Sequence, residues 1–307
     1  MDKIEMLWSG GWDSTYMLCM EARKPITIKP YYIVFHRPGE KEERAAMVRI
    51  LKKMKEHKEF KARILPVKYV DSSKIVITDE VRSAFEKYKG KPYKVGGQYL
   101  ILAAFALQHK GIYLGQERYY ETPGHLTKLM YEKGHMKFTD DGVGYFNESD
   151  CDKDVFLLFG NYTYPIAKKT ELIMQEDAEH LGFMDIMDET WFCYTPTKDG
   201  KPCGACLPCV VKYNQHLYNL LPVEAQARAE VKNNLPEFFG GRDLRKLFES
   251  YCQYKDGYSF ETIFRDSQNN TPLDNLMFNK KVQEIYTYED YFDKEVENAK
   301  KIILNRK

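Results

Sequence analysis

The regular alternation of strand-like and helix-like segments in the first half of the chain constrains its fold more than any other feature. Short apolar runs such as IEMLW at residues 4–8 and ITIKPYYIVF at 26–35 are followed by helical patterns, STYMLCMEA at 14–22 and EKEERAAMVRILKKM at 40–54. Strands that alternate with helices in this way are typical of a parallel sheet with helices on both faces. We therefore expect a doubly wound α/β domain over residues 1–192.

The alternation continues through the next part of this domain. The run ARILPVKYV at residues 62–70 predicts a strand, and TDEVRSAFEKY at 78–88 predicts a helix. QYLILAAFALQHK at 98–110 predicts a further helix, which is followed by a strand in GIYLG at 111–115. These runs repeat the strand and helix order of a parallel α/β sheet.

The last part of the predicted domain is less regular. Between Glu117 and Asp154, glycines, acids and aromatic residues follow no period, which predicts a long loop or a small insertion near the active face. The apolar run FLLF at residues 156–159 predicts another strand. The segment KKTELIMQEDAEHLG at 168–182 predicts a helix that ends at Gly182, because glycine is common just beyond a helix C-terminus.

Composition and charge narrow the classes of protein to which the chain can belong. A hydrophobic content of 43% is sufficient for a sizeable core, and no window approaches the roughly 20 apolar residues that a membrane helix needs. The 46 basic and 45 acidic side chains nearly cancel, so net charge does not favour nucleic acid or an anionic membrane surface. The first residues do not form the pattern of a secretory leader. We therefore expect a soluble, cytoplasmic protein with no membrane partner.

The segment SGGWDST lies where the first predicted strand ends and the first helix begins, and we call it the glycine turn. Its two glycines permit backbone conformations and close approaches that a Cβ atom would prevent. Its hydroxyl groups are hydrogen-bond donors, and the first amides of a helix carry partial positive charge. Ligands of α/β sheets bind at this edge of the sheet. The turn therefore predicts an oxyanion site formed by Ser9, Gly10, Gly11, Trp12, Asp13, Ser14 and Thr15.

Asp13 indicates which kind of oxyanion the turn binds. The turn lacks the lysine of a G-x-x-x-x-G-K-[ST] phosphate loop and the spacing of a G-x-G-x-x-G dinucleotide loop. A carboxylate repels a phosphate unless a divalent cation lies between them, so Asp13 indicates Mg²⁺ together with a polyphosphate. The plain alternative is a strand-to-helix turn in which Asp13 or Ser14 only caps the helix.

Four of the seven cysteines are clustered, and this clustering favours a metal over disulfide bonds. Cys193, Cys203, Cys206 and Cys209 have the spacing C-x9-C-x2-C-x2-C. Four thiolates at this spacing can bind one Zn²⁺ tetrahedrally, and such a zinc is structural because no position is left for a substrate. The alternatives are an iron–sulfur cluster and free core thiols without a metal.

These two motifs together resemble those of a known family. The glycine turn matches the S-G-G-x-D-S motif of the PP-loop ATP pyrophosphatases, whose fold is of the adenine nucleotide alpha hydrolase type. The T-W-x-C-Y and C-G-x-C-x-x-C elements near residue 190 are similar to those of the 7-cyano-7-deazaguanine synthase (QueC) family within that superfamily. The stretch PIAKKTEL at 165–172 resembles that family's P-L-x-x-L-x-K-x-E-I and aligns Lys169 and Glu171 with it. The resemblance covers residues 1–212.

The resemblance implies an ATP-dependent C–N ligase that forms AMP and pyrophosphate. Such an enzyme adenylates 7-carboxy-7-deazaguanine and converts it with ammonia to the amide and then the nitrile, a step of queuosine biosynthesis. It implies ATP with Mg²⁺ and a structural Zn²⁺ as cofactors. It also implies that Asp13, Ser14 and Lys169 are catalytic, with Lys169 binding the nucleotide as a cation against developing phosphate charge. Without the resemblance, Lys169 is simply an exposed lysine at the start of a helix.

The segments that would select the substrate depart from the family pattern. In place of P-G-R-N, D-x-S-G-Y-P-D-C and D-Y-G-Q-R-H, this chain has VGGQ at 95–98, QERYYETPGH at 116–125 and HRPGEK at 36–41. The family resemblance therefore supports the nucleotide chemistry of this chain better than the identity of its substrate. The substrate-site residues expected from their position are Gly97, Gln98, Gln116 and Glu117.

Residues 213–307 follow the four-cysteine element at 193–212 and exceed the usual family length. Aromatic-rich helical patterns, such as RDLRKLFESYCQYK at 242–255, are separated by prolines and glycines and predict a helical C-terminal extension. The extension could dock a protein partner, or its aromatic side chains could be core residues of a helical cap. A homodimer, as is usual in the family, is a further expectation.

The residues leave three functions open. The first is the synthase reaction, with a deazapurine carboxylate and an amine donor as substrates. The second keeps the adenylation but transfers the acyl group to an amine of a protein or nucleic acid, in a defence or modification system. The third is a non-catalytic, zinc-stabilised adapter that binds a nucleotide.

Overall fold

The computed structural model describes residues 2–90, 92–93, 95–118, 126–239, 242–264 and 275–305, apart from the side chains of residues 239, 242 and 275. The chain divides into two compact units. The sheet unit comprises Met1–His36 and Glu40–Trp191, and the cysteine unit comprises Arg37–Gly39 and Phe192–Lys307. Over the described ranges, no helix combines the length and the apolar character that crossing a membrane would require.

The sheet unit alternates strands and helices, with a short 3-10 helix at Ser72–Lys74. Its elements in chain order are β1 (Lys3–Leu7), α1 (Trp12–Ala22), β2 (Thr27–Val34), α2 (Glu40–Met54), β3 (Arg63–Ile64), β4 (Lys68–Asp71), α3 (Asp79–Tyr88), α4 (Gln98–Ala106), β5 (Ile112–Tyr113), α5 (Leu126–Glu132), β6 (Lys137–Phe138), β7 (Gly144–Tyr145), α6 (Lys153–Phe159), β8 (Tyr162–Thr163), α7 (Glu171–Leu181) and α8 (Met184–Met187).

Six parallel strands form the central sheet of this unit. Their spatial order is β3-β2-β1-β5-β8, and β4 also pairs with β2. The chain moves from β1 to β2 and its neighbours on one side, and later to β5 and β8 on the other side of β1. The prediction of an α/β fold with a parallel sheet is confirmed, and the strand order is that of a Rossmann-like fold. Ligands of such sheets bind at the carboxyl ends of the strands where the winding direction reverses, which here is at β1 and β5.

Successive strand residues enter two different cores. Met6 and Tyr32 pack with residues of α1, α2, α7 and α8, whereas Leu7 and Tyr31 pack with residues of α3, α4 and α6. This division follows from strand geometry, because neighbouring side chains point to opposite faces of a sheet. Helices therefore cover both faces of the sheet, as expected for a doubly wound fold.

The prediction of a strand in the FLLF run is wrong, because this run belongs to helix α6. The carboxylate of Asp152 caps the helix, accepting hydrogen bonds of 3.0 and 3.1 Å from two backbone N–H groups of its first turn. Val155, Leu158 and Phe159 are buried at helical spacing. A run of four apolar residues does not distinguish a strand from a helix by its period. The strand of this region is β8, which follows the helix.

Two other predicted segments are more divided than expected. The run ARILPVKYV forms β3 and β4, which are separated around Pro66 because proline has no N–H group for the strand ladder. The irregular segment from Glu117 to Asp154 contains α5 and the antiparallel pair of β6 and β7. Residues 119–125, which include most of the QERYYETPGH stretch, lie outside the described residues. Gly182 follows α7 with a φ of +78°, as predicted for its C-terminus.

The cysteine unit is mainly helical in the ranges that the structure describes. Its elements are α9 (Leu207–Asn214), a 3-10 helix at Tyr218–Leu220, α10 (Val223–Asn234), β9 (Phe238–Phe239), β10 (Arg242–Asp243), α11 (Leu244–Lys255), α12 (Phe260–Ile263) and α13 (Asn275–Asn305). Phe248 and Tyr251 of α11 pack against Phe292 of α13 and are buried, so they are core residues. Phe238, in contrast, is 61% exposed.

Candidate functional site

The glycine turn connects β1 to α1 at the reversal point of the sheet. Gly10 has a φ of +72°, and a Cβ atom there would lie 2.9 Å from Met47 Cγ and 3.1 Å from the carbonyl oxygen of Glu43. The Gly10 carbonyl accepts a hydrogen bond of 2.9 Å from the backbone N–H of Trp191. Position 10 therefore requires glycine both for its backbone conformation and for the close approach of α2.

Ser9 and Ser14 connect the turn to the beginning of α1. The Ser9 N–H donates to Ser14 Oγ at 3.3 Å, and Ser14 Oγ donates to the Gly11 carbonyl at 3.3 Å. Gly11 is the N-cap residue, so no N-cap side chain covers the first amides of the helix. Because these amides carry partial positive charge, backbone groups and two hydroxyls together form a candidate anion site.

Two predicted residues of the turn face the core instead. Thr15 is fully buried, and its Oγ1 accepts a hydrogen bond of 3.1 Å from Trp8 Nε1. Trp12 is 5% exposed and belongs to the same core. With Tyr16 and Cys19, these residues form the buried face of α1 at i, i+3, i+4 and i+7. The turn side chains that are only half-buried are those of Ser9, Asp13 and Ser14.

Three carboxylates meet beside the glycine turn. Carboxylate oxygens of Asp13, Glu117 and Glu171 all lie within 4.8 Å of one another, and we call this group the carboxylate triad. Asp13 lies in the first turn of α1, Glu117 follows β5, and Glu171 begins α7 after β8. Since β1, β5 and β8 are neighbours in the sheet, their carboxyl ends bring the three residues together.

The spacing and chemistry of the triad fit a hard divalent cation. An octahedral Mg²⁺ with oxygen ligands at about 2.1 Å places those oxygens roughly 3 to 4.2 Å apart. The triad oxygens, all within 4.8 Å of one another, are close to this range. Carboxylates and phosphate oxygens are the usual ligands of Mg²⁺ at nucleotide sites. The triad could therefore hold Mg²⁺ next to the candidate anion site.

Gly115 lets the loop after β5 approach the start of α1. A Cβ atom at this position would lie 3.1 Å from both the N and the Cα of Ser14 and 3.3 Å from the carbonyl carbon of Asp13. All three are backbone atoms of a helix, which cannot move aside cheaply. A side chain at position 115 would therefore push apart the loop after β5 and the start of α1, which carry Glu117 and Asp13.

The predicted substrate residues lie in two places. Gln116 is held beside α4, because its Oε1 accepts a hydrogen bond of 2.8 Å from Tyr99 OH and its Nε2 donates to the Glu117 carbonyl at 3.2 Å. Gly97 is the N-cap residue of α4, and Gln98 is the exposed first residue of that helix. Tyr99, which the sequence pattern did not identify, is thus the α4 residue that contacts Gln116. A substrate role for the four residues stays a prediction.

Lys169 is held beside α1 by a contact with Asp177. Its Nζ donates to Asp177 Oδ2 at 2.8 Å, and the same oxygen accepts a hydrogen bond from the hydroxyl of Tyr16, one helical turn after Asp13. Burial acts to raise the pKa of Asp177, but the hydrogen bonds from Lys169 and Tyr16 outweigh it, so the net pKa lies below the ordinary value. Burial and the bond to Asp177 raise the pKa of Tyr16. Asp177 is therefore an ionised partner for Lys169 at neutral pH.

The sequence pattern alone did not identify the triad. From its position, Glu117 is a predicted substrate residue, and Glu171 is singled out only by its alignment with the family stretch. The one indication in the sequence is that each of the three acids follows a strand. Their meeting depends on the order of those strands in the sheet, which is a tertiary property. The Arg118 N–H donates to the Lys169 carbonyl at 2.8 Å, which holds the loop after β5 against the start of α7.

The four predicted cysteine ligands meet in the cysteine unit. Their sulfur atoms all lie within 4.8 Å of one another, and no side chain among them is more than 2% exposed. Three of the sulfur pairs are 3.4, 3.8 and 3.9 Å apart. A tetrahedral ion with Zn–S bonds of about 2.3 Å places its sulfur ligands about 3.8 Å apart. The cluster could therefore bind a metal ion such as zinc, and it would leave no open position for a substrate.

Hydrogen bonds around the sulfur atoms favour thiolates. Cys203 Sγ accepts from the backbone N–H groups of Ala205 and Cys206 at 3.4 and 3.3 Å, and Cys193 Sγ accepts from the Cys203 N–H at 3.2 Å. Hydrogen bonds from the other three cysteines lower the pKa of Cys203, whereas burial raises the pKa of Cys193 and Cys209. A bound cation would make four buried thiolates compatible with one another.

The sheet unit thus carries a candidate anion site with a candidate cation site beside it, and the cysteine unit carries a candidate metal centre. The resemblance to the 7-cyano-7-deazaguanine synthase family depends on motifs from both units. No protein-family model, curated protein or solved structure matches this chain.

Proposed function

We propose that this protein is an ATP-dependent ligase that activates a carboxylate as its adenylate and joins the acyl group to an amine. The observation that supports this proposal is the meeting of the carboxylate triad with the glycine turn at the reversal point of the sheet. An anion site beside a cation site is what a complex of Mg²⁺ and a polyphosphate requires. The family resemblance favours a 7-carboxy-7-deazaguanine-type carboxylate as substrate and ammonia as amine donor.

The reaction overcomes the poor reactivity of a carboxylate. A carboxylate oxygen attacks the α-phosphorus of ATP, the bond to the β-phosphate breaks, and pyrophosphate leaves. The amine nitrogen then attacks the acyl carbon, loses a proton, and expels AMP to give the amide. A second adenylation, on the amide oxygen, followed by loss of AMP and a proton, would give the nitrile.

Residues of the sheet unit would have three roles in this reaction. The first amides of α1 and the hydroxyls of Ser9 and Ser14 would bind the phosphate oxygens that gain charge as pyrophosphate leaves. Bound Mg²⁺ would neutralise part of this charge, and the carboxylate triad would hold it. Lys169, held in place by Asp177, would supply a further positive charge beside the same helix.

Analysis of the nucleotide products tests the proposal. The purified protein is incubated with ATP, Mg²⁺, 7-carboxy-7-deazaguanine and ammonium, and equal amounts of AMP and pyrophosphate are expected. Glu171→Gln should lower the rate at least about 100-fold, because it removes a charged ligand of the cation. Glu176→Gln, the same substitution at an exposed position of α7, should leave the rate unchanged.

The other outcomes separate the alternatives. ADP as the only nucleotide product would contradict the proposed chemistry. AMP formation that requires an added protein or nucleic acid, together with a mass increase of that macromolecule, would identify it as the acceptor of the acyl group. Binding of ATP without any AMP, with this and with other carboxylates, would favour the adapter.

A further inference from the structure

Helix α10 contacts the turn between two of the four cysteines. Arg228 Nη1 donates to the carbonyl oxygen of Cys203 at 3.2 Å, and Lys232 Nζ donates to the carbonyl oxygen of Ala205. The side chain of Arg228 is 9% exposed and that of Lys232 is 14% exposed. The two cations lie four residues apart, on one face of the helix, and hold the carbonyls on either side of Gly204.

Gly204 permits this contact. Its φ is +80°, and a Cβ atom would lie 2.2 Å from the carbonyl oxygen and 2.5 Å from the Cα of Ala225, which belongs to α10. Position 204 therefore requires glycine for its left-handed conformation and also for the approach of the helix. The turn that presents Cys203 and Cys206 is shaped to fit α10.

Both cations also bind acids at the next helix. Arg228 donates to Asp256 Oδ2 at 2.8 Å, and Lys232 donates to Glu249 Oε2 at 2.8 Å. Glu249 lies on α11 and Asp256 directly follows it. Each cation thus bridges a carbonyl of the cysteine turn and a carboxylate of the C-terminal region, which holds its side chain in one orientation.

We propose that Arg228 and Lys232 are positioning residues of the four-cysteine metal centre. By holding the carbonyls of Cys203 and Ala205, they orient the turn that supplies two sulfur ligands. Helices α10 and α11 therefore support the metal centre. This inference does not depend on the proposed enzymatic activity.

The rate of zinc release to a chromogenic chelator tests this role in the full-length protein. Substitution of residues that orient metal ligands typically weakens metal binding about 10- to 100-fold. We expect release to be accelerated by a factor in this range in both Arg228→Met and Lys232→Met. Arg228→Lys should give an intermediate rate, because lysine keeps the positive charge but carries it on a flexible stem without the rigid planar donor geometry of a guanidinium.

Two matched variants control for the general loss of a cation. Arg245 donates to the carbonyls of Leu235 and Asn233, and Lys255 binds Glu289 and Asp293 of α13. Arg245→Met and Lys255→Met should release zinc at the wild-type rate. Replacing zinc by Co²⁺ gives a second measurement, since the absorption bands of a four-thiolate cobalt site should bleach faster only in the Arg228 and Lys232 variants.

Two results would contradict the positioning role of Arg228. Equal release rates in Arg228→Met and Arg245→Met, or a wild-type rate in Arg228→Met, would overturn it. If the methionine variants do not fold, Arg228→Lys decides the question. Release that is faster than in the wild type supports the positioning role, and release at the wild-type rate contradicts it.

Discussion

The backbone N–H of Trp191 donates to the carbonyl oxygen of Gly10 over 2.9 Å. Trp191 lies two residues before the first of the four clustered cysteines, and Gly10 is the left-handed residue of the glycine turn. The turn is thus held on one side by this hydrogen bond and on another by α2, which approaches Gly10 closely. A turn with this support can keep its amides and hydroxyls oriented before a ligand binds.

Gly10→Ala should destabilise the protein more than Gly111→Ala. Both glycines have positive φ, +72° and +79°, so each substitution costs about 1 kcal/mol of unfolding free energy from backbone strain. The new methyl group at position 10 would also collide with Met47 and the Glu43 carbonyl, whereas position 111 has no atom within 4 Å. The collision should add about 1–3 kcal/mol. Urea unfolding monitored by circular dichroism measures the unfolding free energy of both variants. Equal losses of this free energy in the two variants would contradict the close approach of α2 to Gly10.

The effect of Asp13→Asn should depend on Mg²⁺. If Asp13 binds a cation that bridges to the nucleotide, its loss should weaken binding of an ATP analogue with an uncleavable α–β bond on the order of tenfold with Mg²⁺ present. With EDTA, the same variant should bind the analogue as well as the wild type or better, because a repelling charge is gone. Titration calorimetry measures both affinities, with Asp154→Asn, in the first turn of α6, as the control. A loss of equal size in both buffers would refute the cation-ligand role.

Asp177 should act on nucleotide binding through Lys169. Lys169→Met and Asp177→Asn should each weaken binding of the same analogue with Mg²⁺, because one removes the cation and the other releases it from its position. In the double variant the two losses should not add, since residues in direct contact are coupled by about 0.5–3 kcal/mol. Additive losses would show that the two residues act independently.

Loss of one cysteine ligand should abolish metal binding. The wild type should contain about one zinc ion per chain, measured by elemental analysis. Cys206→Ser should lose this metal and unfold at a lower temperature, because the free energy of metal binding contributes to folding. Cys151→Ser, which changes a thiol of the sheet unit, should retain the metal. A Cys206→Ser protein with wild-type thermal stability would argue against a structural centre.

His57 should stabilise the sheet unit more at acidic than at alkaline pH. Its ring contacts Glu59 at 2.9 Å and Asp185 at 3.1 Å. Burial acts to lower the pKa of His57, but the bonds to these two carboxylates outweigh it and the net pKa lies above 6.5. A pKa that folding raises means that the stabilisation is fully present below the unfolded pKa and is lost as pH rises through the folded pKa.

His57→Gln should therefore lower the free energy of unfolding by up to about 1 kcal/mol at pH 5.5 and by less at pH 9. Urea unfolding of both proteins at the two pH values measures this difference. A loss that does not change with pH would mean that the protonated ring is not the stabilising form.

Some errors of sequence interpretation have a local physical cause. The FLLF run predicts a strand only because four apolar residues fit either period, and Asp152 caps a helix just before this run. Thr15 and Trp12 belong to the glycine turn, but helical geometry turns their side chains into the core, and a role of these residues in ligand binding stays a prediction. In both segments the structure is decided by residues a few positions apart in the chain. The helix cap at Asp152 and the helical period of α1 can both be recognised in the sequence.

The sequence by itself determined the features whose causes act over short distances along the chain. These are the alternation of strands and helices, the left-handed glycines at 10 and 182, and the clustering of four cysteines. Only the tertiary structure decided that Asp13, Glu117 and Glu171 meet and that α10 contacts the turn around Gly204. The physical reason is that these residues are far apart in the chain. Their proximity depends on strand order and helix packing, which no local pattern specifies.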